Sequence, residues 1–238
     1  MKILIIIPTY NEQGNIAILI SEIWAQTAGH DISILIVDSH SPDGTGETVE
    51  GMARSDARIH VLHQPLKLGL GKAYLEGFHW AFQRDFELIV TMDADLSHDP
   101  AYIPEMIRQA ANYDLVIGSR YVRGGGAINW SLSRKMISGF GNWYAKTIVG
   151  IPLNDLTSGF HCFHRQLLQG LLEPEPQSEG YVFLIELKFR SVIKKARVLE
   201  IPIIFRDRLR GKSKISKRII GEAAVRVWQF AAKRFDGF

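Results

Sequence analysis

The sequence predicts an α/β domain built on a doubly wound, mostly parallel sheet. Short apolar runs rich in Ile, Leu and Val alternate with helical segments between residues 3 and 118, which is the pattern of a parallel sheet covered on both faces. Two of these runs lead directly into aspartates, and open α/β sheets bind ligands at the carboxyl ends of their strands. The 238 residues suffice for one large domain of this kind.

The individual elements follow from the apolar runs and the breakers between them. Strands are predicted at 3–7, 32–38, 59–62, from Leu88 onward, and at 115–118, 160–163 and 198–205. Pro8 is expected to end the hydrogen-bond ladder of the first strand, and Pro202 interrupts the last strand, which is therefore predicted to be an edge strand. Helices are predicted at 16–25 with Asn15 as cap, through Met52, and at 73–84, 100–113, 130–149, 181–196 and 215–235. Gly124, Gly125 and Gly126 have no side chains and indicate a flexible hinge.

Composition excludes several classes of protein. A hydrophobic content of 46% with 22% charged residues is ordinary for a globular chain and excludes disorder. The net charge of +3 is too small to argue for nucleic acid as a partner. Cys162 is the single cysteine, which excludes an internal disulfide and suits a reducing compartment. No run approaches the length of a transmembrane helix, so we expect a cytoplasmic protein whose membrane contact is peripheral.

Asp93 and Asp95 follow the apolar run that starts at Leu88. With one residue between them, both carboxylates can approach one hard cation, which keeps several waters and takes further oxygens from substrate phosphates. Asp-x-Asp alone is a weak motif, because Asp also ends strands and caps helices. Its position at a strand end favours a Mg²⁺ or Mn²⁺ site.

Two phosphate-loop motifs are excluded. Gly69 and Gly71 precede Lys72, but Tyr74 stands where a dinucleotide-binding loop needs its third glycine. A Walker loop would need Ser or Thr in place of Ala73. A nicotinamide dehydrogenase is therefore excluded, and the segment is interpreted as a glycine-containing loop that leads into a helix.

Three basic segments indicate contact with phosphate or with a membrane. The loop 206–214 carries five Arg and Lys residues, a composition that grips phosphate but also suits a solvated face. Helix 130–149 mixes Trp and Tyr with basic residues, which is typical of a membrane interface or of a helix packed on the sheet. Helix 215–235 has one basic stripe against an apolar remainder, so the chain is divided into a domain at 1–214 and an amphipathic, membrane-interfacial helix at 215–238.

Six motifs in order from Lys2 to about Lys214 resemble the dolichol-phosphate (polyprenyl-phosphate) mannose synthases, inverting glycosyltransferases of the GT-A fold. They are Pro-Thr-Tyr-Asn-Glu at 8–12, Asp38 with Ser-Pro-Asp-Gly-Thr at 41–45, Met-Asp-Ala-Asp-Leu-Ser-His at 92–98, Gly-Ser-Arg-Tyr at 118–121, Asp155 with Thr-Ser-Gly-Phe at 157–160, and Arg208 with Gly211, Ser213 and Lys214. Each motif is weak alone, and six in register are specific.

The resemblance implies a GT-A (Rossmann-like) fold and transfer of mannose from GDP-mannose to a polyprenyl phosphate with inversion. It implies a nucleotide-sugar donor, a polyprenyl-phosphate lipid acceptor and a divalent cation, Mg²⁺ or Mn²⁺. It further implies a protein held peripherally on the cytoplasmic face of a membrane, with a membrane-anchoring subunit as one further partner.

The resemblance also implies the site residues, position by position. Donor binding is expected from Pro8, Tyr10, Glu12, Val37, Asp38, Asp93, Ala94 and Asp95, and binding of phosphate or acceptor from Arg120, Arg134, Arg208 and Lys214. The metal ligands are expected to be Asp93, Asp95 and Ser97, and the catalytic residues Asp93, Asp95 and Arg120. Asp155 is placed like a general base but is expected to be structural, because a phosphate acceptor is already anionic.

Two alternatives stay open. Ser39-His40 stands where the family often has a second acidic residue and a small one, so another nucleotide sugar such as UDP-glucose is an alternative donor. A catalytically silent nucleotide-sugar-binding scaffold is the second alternative, although such a scaffold need not retain Asp93, Asp95, Arg120, Arg208 and Lys214.

Overall fold

The computed structural model describes residues 1–176, 178–207 and 228. Its strands are β1 (Lys2–Thr9), β2 (Asp31–Asp38), β3 (Ile59–His63), β4 (Leu88–Thr91), β5 (Leu115–Ser119), β6 (Gly126–Ile128), β7 (His161–His164), β8 (Val198–Pro202) and β9 (Ile204–Arg206). Its helices are α1 (Gln13–Gln26), α2 (Thr45–Ser55), α3 (Leu70–Phe82), α4 (Ile103–Gln109), α5 (Leu132–Val149), α6 (Arg165–Leu171) and α7 (Gly180–Ile193). A 3₁₀ turn, Pro100–Tyr102, leads into α4.

Seven strands form one sheet in the order β3-β2-β1-β4-β7-β5-β8. Neighbouring strands are parallel except β7, which runs antiparallel to both β4 and β5. A second, two-stranded parallel ladder joins β6 to β9. The predicted fold class, a doubly wound and mostly parallel α/β sheet, is confirmed.

The sheet is buried on both faces, which explains why its central strands read as unbroken apolar runs. Along β1, Ile3, Ile5 and Ile7 face one core cluster, which α1 covers. Leu4 and Ile6 face the other cluster, which α3 and α7 cover. Helices on both faces leave the carboxyl edge of the parallel strands open for a site.

Two predictions near the first loop are wrong. The β1 ladder runs through Pro8, which is in register with Val37 of β2. The other neighbour, β4, pairs only as far as Ile6, so no ladder bond on that side needs the amide hydrogen that proline lacks. Asn15 does not cap α1 but lies inside it, where its side chain donates to Glu12 Oε2 at 2.8 Å.

The three consecutive glycines do not form a flexible hinge. Gly126 starts β6, which pairs with β9. At Gly125 a Cβ would stand 2.6 Å from the Ser119 carbonyl oxygen, so the absence of a side chain permits close backbone packing. Gly124 has a φ of +91°, which an L side chain rarely adopts.

The remaining helices differ from their predictions in extent. The segment 100–113 forms a 3₁₀ turn followed by the short α4, and α6 was not predicted. Among the described residues, no helix has both the length and the apolar character needed to cross a bilayer. The predicted helix 215–235 lies outside the described residues apart from Trp228, so the division at residue 214 stays a prediction.

Candidate active site

The ends of β1 and β2 bring the first predicted donor-binding residues together. Pro8 pairs with Val37, and Thr9 pairs with Asp38. The buried Asp38 carboxylate accepts from Thr9 Oγ1 at 3.0 Å, and from the amide and hydroxyl of Ser41 at 3.0 and 2.6 Å. Val37 is fully buried in the core, and its assignment as a donor-binding residue stays a prediction.

The loop after β1 presents Tyr10 and Glu12 beside this pair of strands. Lys67 Nζ lies 3.6 Å from the centroid of the Tyr10 ring, a cation–π contact. The Glu12 amide donates to Thr45 Oγ1 at 2.9 Å, and this bond ties the loop to the start of α2. The predicted donor residues of this loop therefore share one edge with Asp38.

Asp93, Ala94, Asp95 and Ser97 form the turn that leaves β4. Asp93 is partly exposed, with 31% of its side chain accessible, whereas Asp95 and Ser97 are buried. Both the amide and the hydroxyl of Ser97 donate to Asp95 Oδ1. The Ser97 hydroxyl thus orients Asp95, and its assignment as a third metal ligand stays a prediction.

His98 is a site residue that the sequence reasoning missed as a functional group. It is buried, stacks on Phe160 with the ring centroids 5.0 Å apart, and its Nδ1 accepts the Asp93 amide hydrogen at 3.0 Å. Burial lowers the pKa of His98, although Asp93 and Asp95 act in the opposite direction. The ring is therefore neutral with its proton on Nε2, and the 4.0 Å between Nδ1 and Asp93 Oδ2 is not an ion pair.

Arg120 and Asp155 form a buried, bidentate ion pair. Arg120 Nε and Nη2 each donate to one carboxylate oxygen at 2.8 Å, and Nη2 also donates to Thr157 Oγ1. The backbone amides of Arg120, Thr157 and Ser158 complete the shell around this carboxylate. Burial would raise the pKa of Asp155, but the charge and hydrogen bonds of Arg120 outweigh it and hold the pKa at about 2.

This ion pair changes the interpretation of both residues. Asp155 accepts six hydrogen bonds from Arg120, Thr157 and Ser158, an arrangement that suits an orienting group and not a base. The Arg120 side chain is only 9% exposed. The assignments of Arg120 as phosphate-binding and catalytic stay predictions, and its geometry in the structure is that of a guanidinium held in place by Asp155.

Two further charged side chains hold the loop that carries Asp155. Glu200 of β8 accepts from the amides of Asn154 and Asp155, both at 2.8 Å. Lys188 of α7 is fully buried and donates to the carbonyl oxygens of Leu156 and Ser158 at 3.0 and 2.6 Å. Burial lowers the pKa of Lys188 to about 7, against the opposing charge of Asp155.

The predicted acceptor residues are described only in part. Arg134 forms an ion pair with Asp207, and its guanidinium lies 4.7 Å from the Trp130 ring centroid. Arg208 and Lys214 lie outside the described residues, and their roles stay predictions.

The turn at Asp93 and Asp95 fits a cation of the Mg²⁺ or Mn²⁺ type. No group of three or more His, Cys, Asp or Glu residues in the described part of the chain could hold a metal unaided. Mg²⁺ is commonly bound by one or two carboxylates, with waters and substrate phosphates as its other ligands. Two aspartates at an open sheet edge are the donor set that such shared coordination requires.

Known proteins share both the fold and the sequence of this chain. A glucosyl-3-phosphoglycerate synthase from Mycobacterium tuberculosis, in complex with Mn²⁺, UDP and glucosyl-3-phosphoglycerate, matches with a TM-score of 0.68 at 18% identity, covering 98% of this chain and 79% of that chain. An undecaprenyl-phosphate mannosyltransferase of Micrococcus luteus is 41% identical over 100% of this chain and 97% of its own length. A polyprenol monophosphomannose synthase of Mycolicibacterium smegmatis is 38% identical over 98% of this chain and 88% of its own length.

The structural match, at 18% identity, establishes the fold alone. The sequence match extends over nearly the whole of both mannosyltransferases. The family profile for glycosyl transferase family 2 matches residues 4–172, and the chain belongs to this family.

Proposed function

We propose that the chain transfers mannose from GDP-mannose to a polyprenyl phosphate with inversion. The observation that carries this proposal is the 38–41% identity, over nearly full length, to two enzymes named for mannosyl transfer to polyprenol or undecaprenyl phosphate. The two aspartates after β4 and the polar loops after β1 and β2 support it, because they share the sheet edge where a nucleotide sugar would bind.

In this proposal each part of the edge has one task. Pro8, Tyr10, Glu12, Val37 and Asp38 hold the nucleoside. Asp93 and Asp95 hold a divalent cation, which when bound supplies positive charge to the departing diphosphate. Arg134, Arg208 and Lys214 offset the repulsion between the anionic donor and the anionic acceptor.

The reaction needs no general base. A phosphate monoester is ionised at neutral pH, so its oxygen attacks without losing a proton to the protein. Asp155 supports this reading, because a carboxylate with a pKa of about 2 that is bonded to Arg120 is a poor proton acceptor. We expect kcat to be flat between about pH 6.5 and 8, without the fall in rate at lower pH that protonation of a general-base carboxylate of raised pKa would give.

A membrane surface is part of the same proposal. Helix α5 exposes Leu132, Met136, Phe140 and Trp143, with 60–75% of each residue accessible. Its sequence contains Arg134, Lys135 and Lys146 and no acidic residue. Exposed Trp beside basic residues suits an anionic bilayer, so we place the protein peripherally on the cytoplasmic face of a membrane.

The decisive experiment is a donor panel. The protein is incubated with radiolabelled GDP-mannose, GDP-glucose, UDP-glucose and UDP-galactose together with a polyprenyl phosphate, and the lipid product is identified by mass spectrometry. Transfer from GDP-mannose supports the proposal. Transfer from UDP-glucose alone would show that the donor is UDP-glucose and not GDP-mannose. A neutral polyprenol is the control acceptor, and transfer of the sugar to it would contradict the base-free mechanism.

A further inference from the structure

Helix α5 carries a polar stripe at a spacing of four residues. The stripe consists of Arg134, Ser138, Asn142 and Lys146, which lie above one another on one face. Arg134 pairs with Asp207, Ser138 Oγ is 2.9 Å from the Tyr121 hydroxyl, and Lys146 Nζ donates to Asn154 Oδ1 at 2.8 Å. Each side chain therefore contacts a segment outside the helix.

Asn142 makes the closest connection to the candidate site. It is buried, its Nδ2 donates to the Asn154 carbonyl at 2.5 Å, and its Oδ1 accepts the Leu156 amide hydrogen at 2.8 Å. These two backbone groups flank Asp155, the partner of Arg120. The Asn142 amide thus spans the loop at the point where the ion pair is attached.

The opposite side of α5 is the apolar stripe already described, Leu132, Met136, Phe140 and Trp143. At 100° per residue this stripe and the Asn142 side lie more than a right angle apart around the helix. The indole of Trp228, itself 60% exposed, donates to the Tyr144 hydroxyl at 3.0 Å, which extends the exposed aromatic surface. One continuous helix therefore joins a surface suited to lipid to the loop that holds Asp155.

We propose that Asn142 is a positioning residue through which a bilayer bound at the apolar stripe of α5 sets the geometry of the Arg120–Asp155 pair. The membrane is then an activator of transfer as well as the place where the acceptor lies. The inference rests on the proposed function: a bilayer is expected to cover the apolar stripe of α5 because the proposed acceptor is a lipid phosphate. A seated helix is fixed in tilt and rotation, and its short hydrogen bonds carry that constraint to the loop.

The test separates activation from acceptor delivery. Transfer from GDP-mannose to a short, water-soluble prenyl phosphate is measured with and without phosphatidylglycerol vesicles that contain no acceptor. For the wild type we expect vesicles to raise kcat by about fivefold or more, the lower end of common coupling strengths. Asn142→Ala should abolish this rise and so lower kcat with vesicles by about fivefold or more, within the loss that a misplaced group can cause. The KM for GDP-mannose and vesicle co-sedimentation should stay unchanged.

Thr27→Ala is the matched control. Thr27 is also buried, and its hydroxyl makes one hydrogen bond, to the Ile23 carbonyl at 2.7 Å, at the end of α1. It should lose stability without losing vesicle activation. Asn142→Asp, which keeps an acceptor for the Leu156 amide but loses the donor to Asn154, should be intermediate.

The rate of amide hydrogen exchange in residues 154–158 measures the coupling between bilayer binding and the loop that carries Asp155, and it does so without enzymatic turnover. Vesicles should slow this exchange in the wild type and in Thr27→Ala, and not in Asn142→Ala. Equal vesicle activation of wild type and Asn142→Ala, or no vesicle effect on exchange in the wild type, overturns the inference. Slowed exchange without transfer to any acceptor contradicts the proposed function and leaves the coupling standing.

Discussion

The Arg120–Asp155 pair allows a quantitative test, because the chain also contains a similar pair at its surface. Both pairs are Arg–Asp forks with Nε and Nη2 on the two carboxylate oxygens, Arg120–Asp155 in the interior and Arg197–Asp114 outside. The Arg120 and Asp155 side chains are 9% and 0% exposed, whereas those of Arg197 and Asp114 are 64% and 29% exposed. Asp155→Asn and Asp114→Asn therefore make one chemical change in two dielectric surroundings.

The pKa of Asp155 fixes the direction of the pH dependence. A folded-state pKa of about 2, below the ordinary 3.8, means that ionised Asp155 stabilises the folded state. This contribution, about 2 kcal/mol, is fully present above about pH 5 and is lost as the pH falls toward 2. Asp155→Asn should remove more than this at pH 7, about 3–5 kcal/mol, because the buried Arg120 guanidinium loses the opposite charge of its bidentate partner.

Urea denaturation between pH 3 and 8 measures both effects. In the wild type and in Asp114→Asn, the free energy of unfolding should fall as the pH is lowered below about 5. In Asp155→Asn it should fall less steeply. Asp114→Asn should cost at most about 1 kcal/mol at pH 7, as expected for an exposed pair. If the two variants lose equal stability, or if the acid limb of Asp155→Asn matches the wild type, the assignment of Asp155 as a desolvated, ionised partner is wrong.

Three further predictions concern activity and membrane binding. Asp95→Asn and Asp93→Asn should lose most transfer activity with unchanged circular dichroism, and Asp93→Asn should also weaken GDP-mannose binding by calorimetry; wild-type turnover with unchanged sensitivity to EDTA would contradict the metal assignment. Arg208→Ala should cost about 2–4 kcal/mol of transition-state stabilisation in kcat/KM, and Arg208→Lys should recover only part, because a point charge cannot replace the planar fork; full-rate Arg208→Ala would refute this role. The protein should co-sediment with anionic liposomes and should be released as added salt shortens the Debye length below about 10 Å. The double variant Phe140→Ser, Trp143→Ser should bind the liposomes more weakly. Equal recovery of the protein in the supernatant with and without liposomes would show that α5 does not bind lipid.

The parallel part of the fold could be predicted because its signals are local. The apolar runs of β1, β2 and β4 are long enough to be recognised, and their direction follows from the helices between them. Asp38 and Asp93 were placed at one edge because the carboxyl ends of parallel strands meet there. That part of the site required no knowledge of distant contacts.

The rest depends on contacts between segments far apart in sequence. Lys188 reads as an ordinary charged residue of a helix, yet it is buried against carbonyl groups some 30 residues earlier. Asn142 likewise gains its meaning from a loop that follows the end of its own helix. The antiparallel direction of β7 carries no signature in four residues, His-Cys-Phe-His, so the sequence could place that strand but not orient it.

The position of β7 between β4 and β5 separates the strand ends that carry two charged residues of the site. Because β7 lies between β4 and β5, the strand ends that carry Asp93 and Arg120 stand two strand separations apart, about 10 Å. The beginning of β7, and not its end, arrives in that gap and brings Gly159, where a Cβ would lie 3.4 Å from Asp93 Oδ1. The inserted strand therefore sets the backbone positions from which Asp93 and Arg120 extend toward the site, two strand separations from each other.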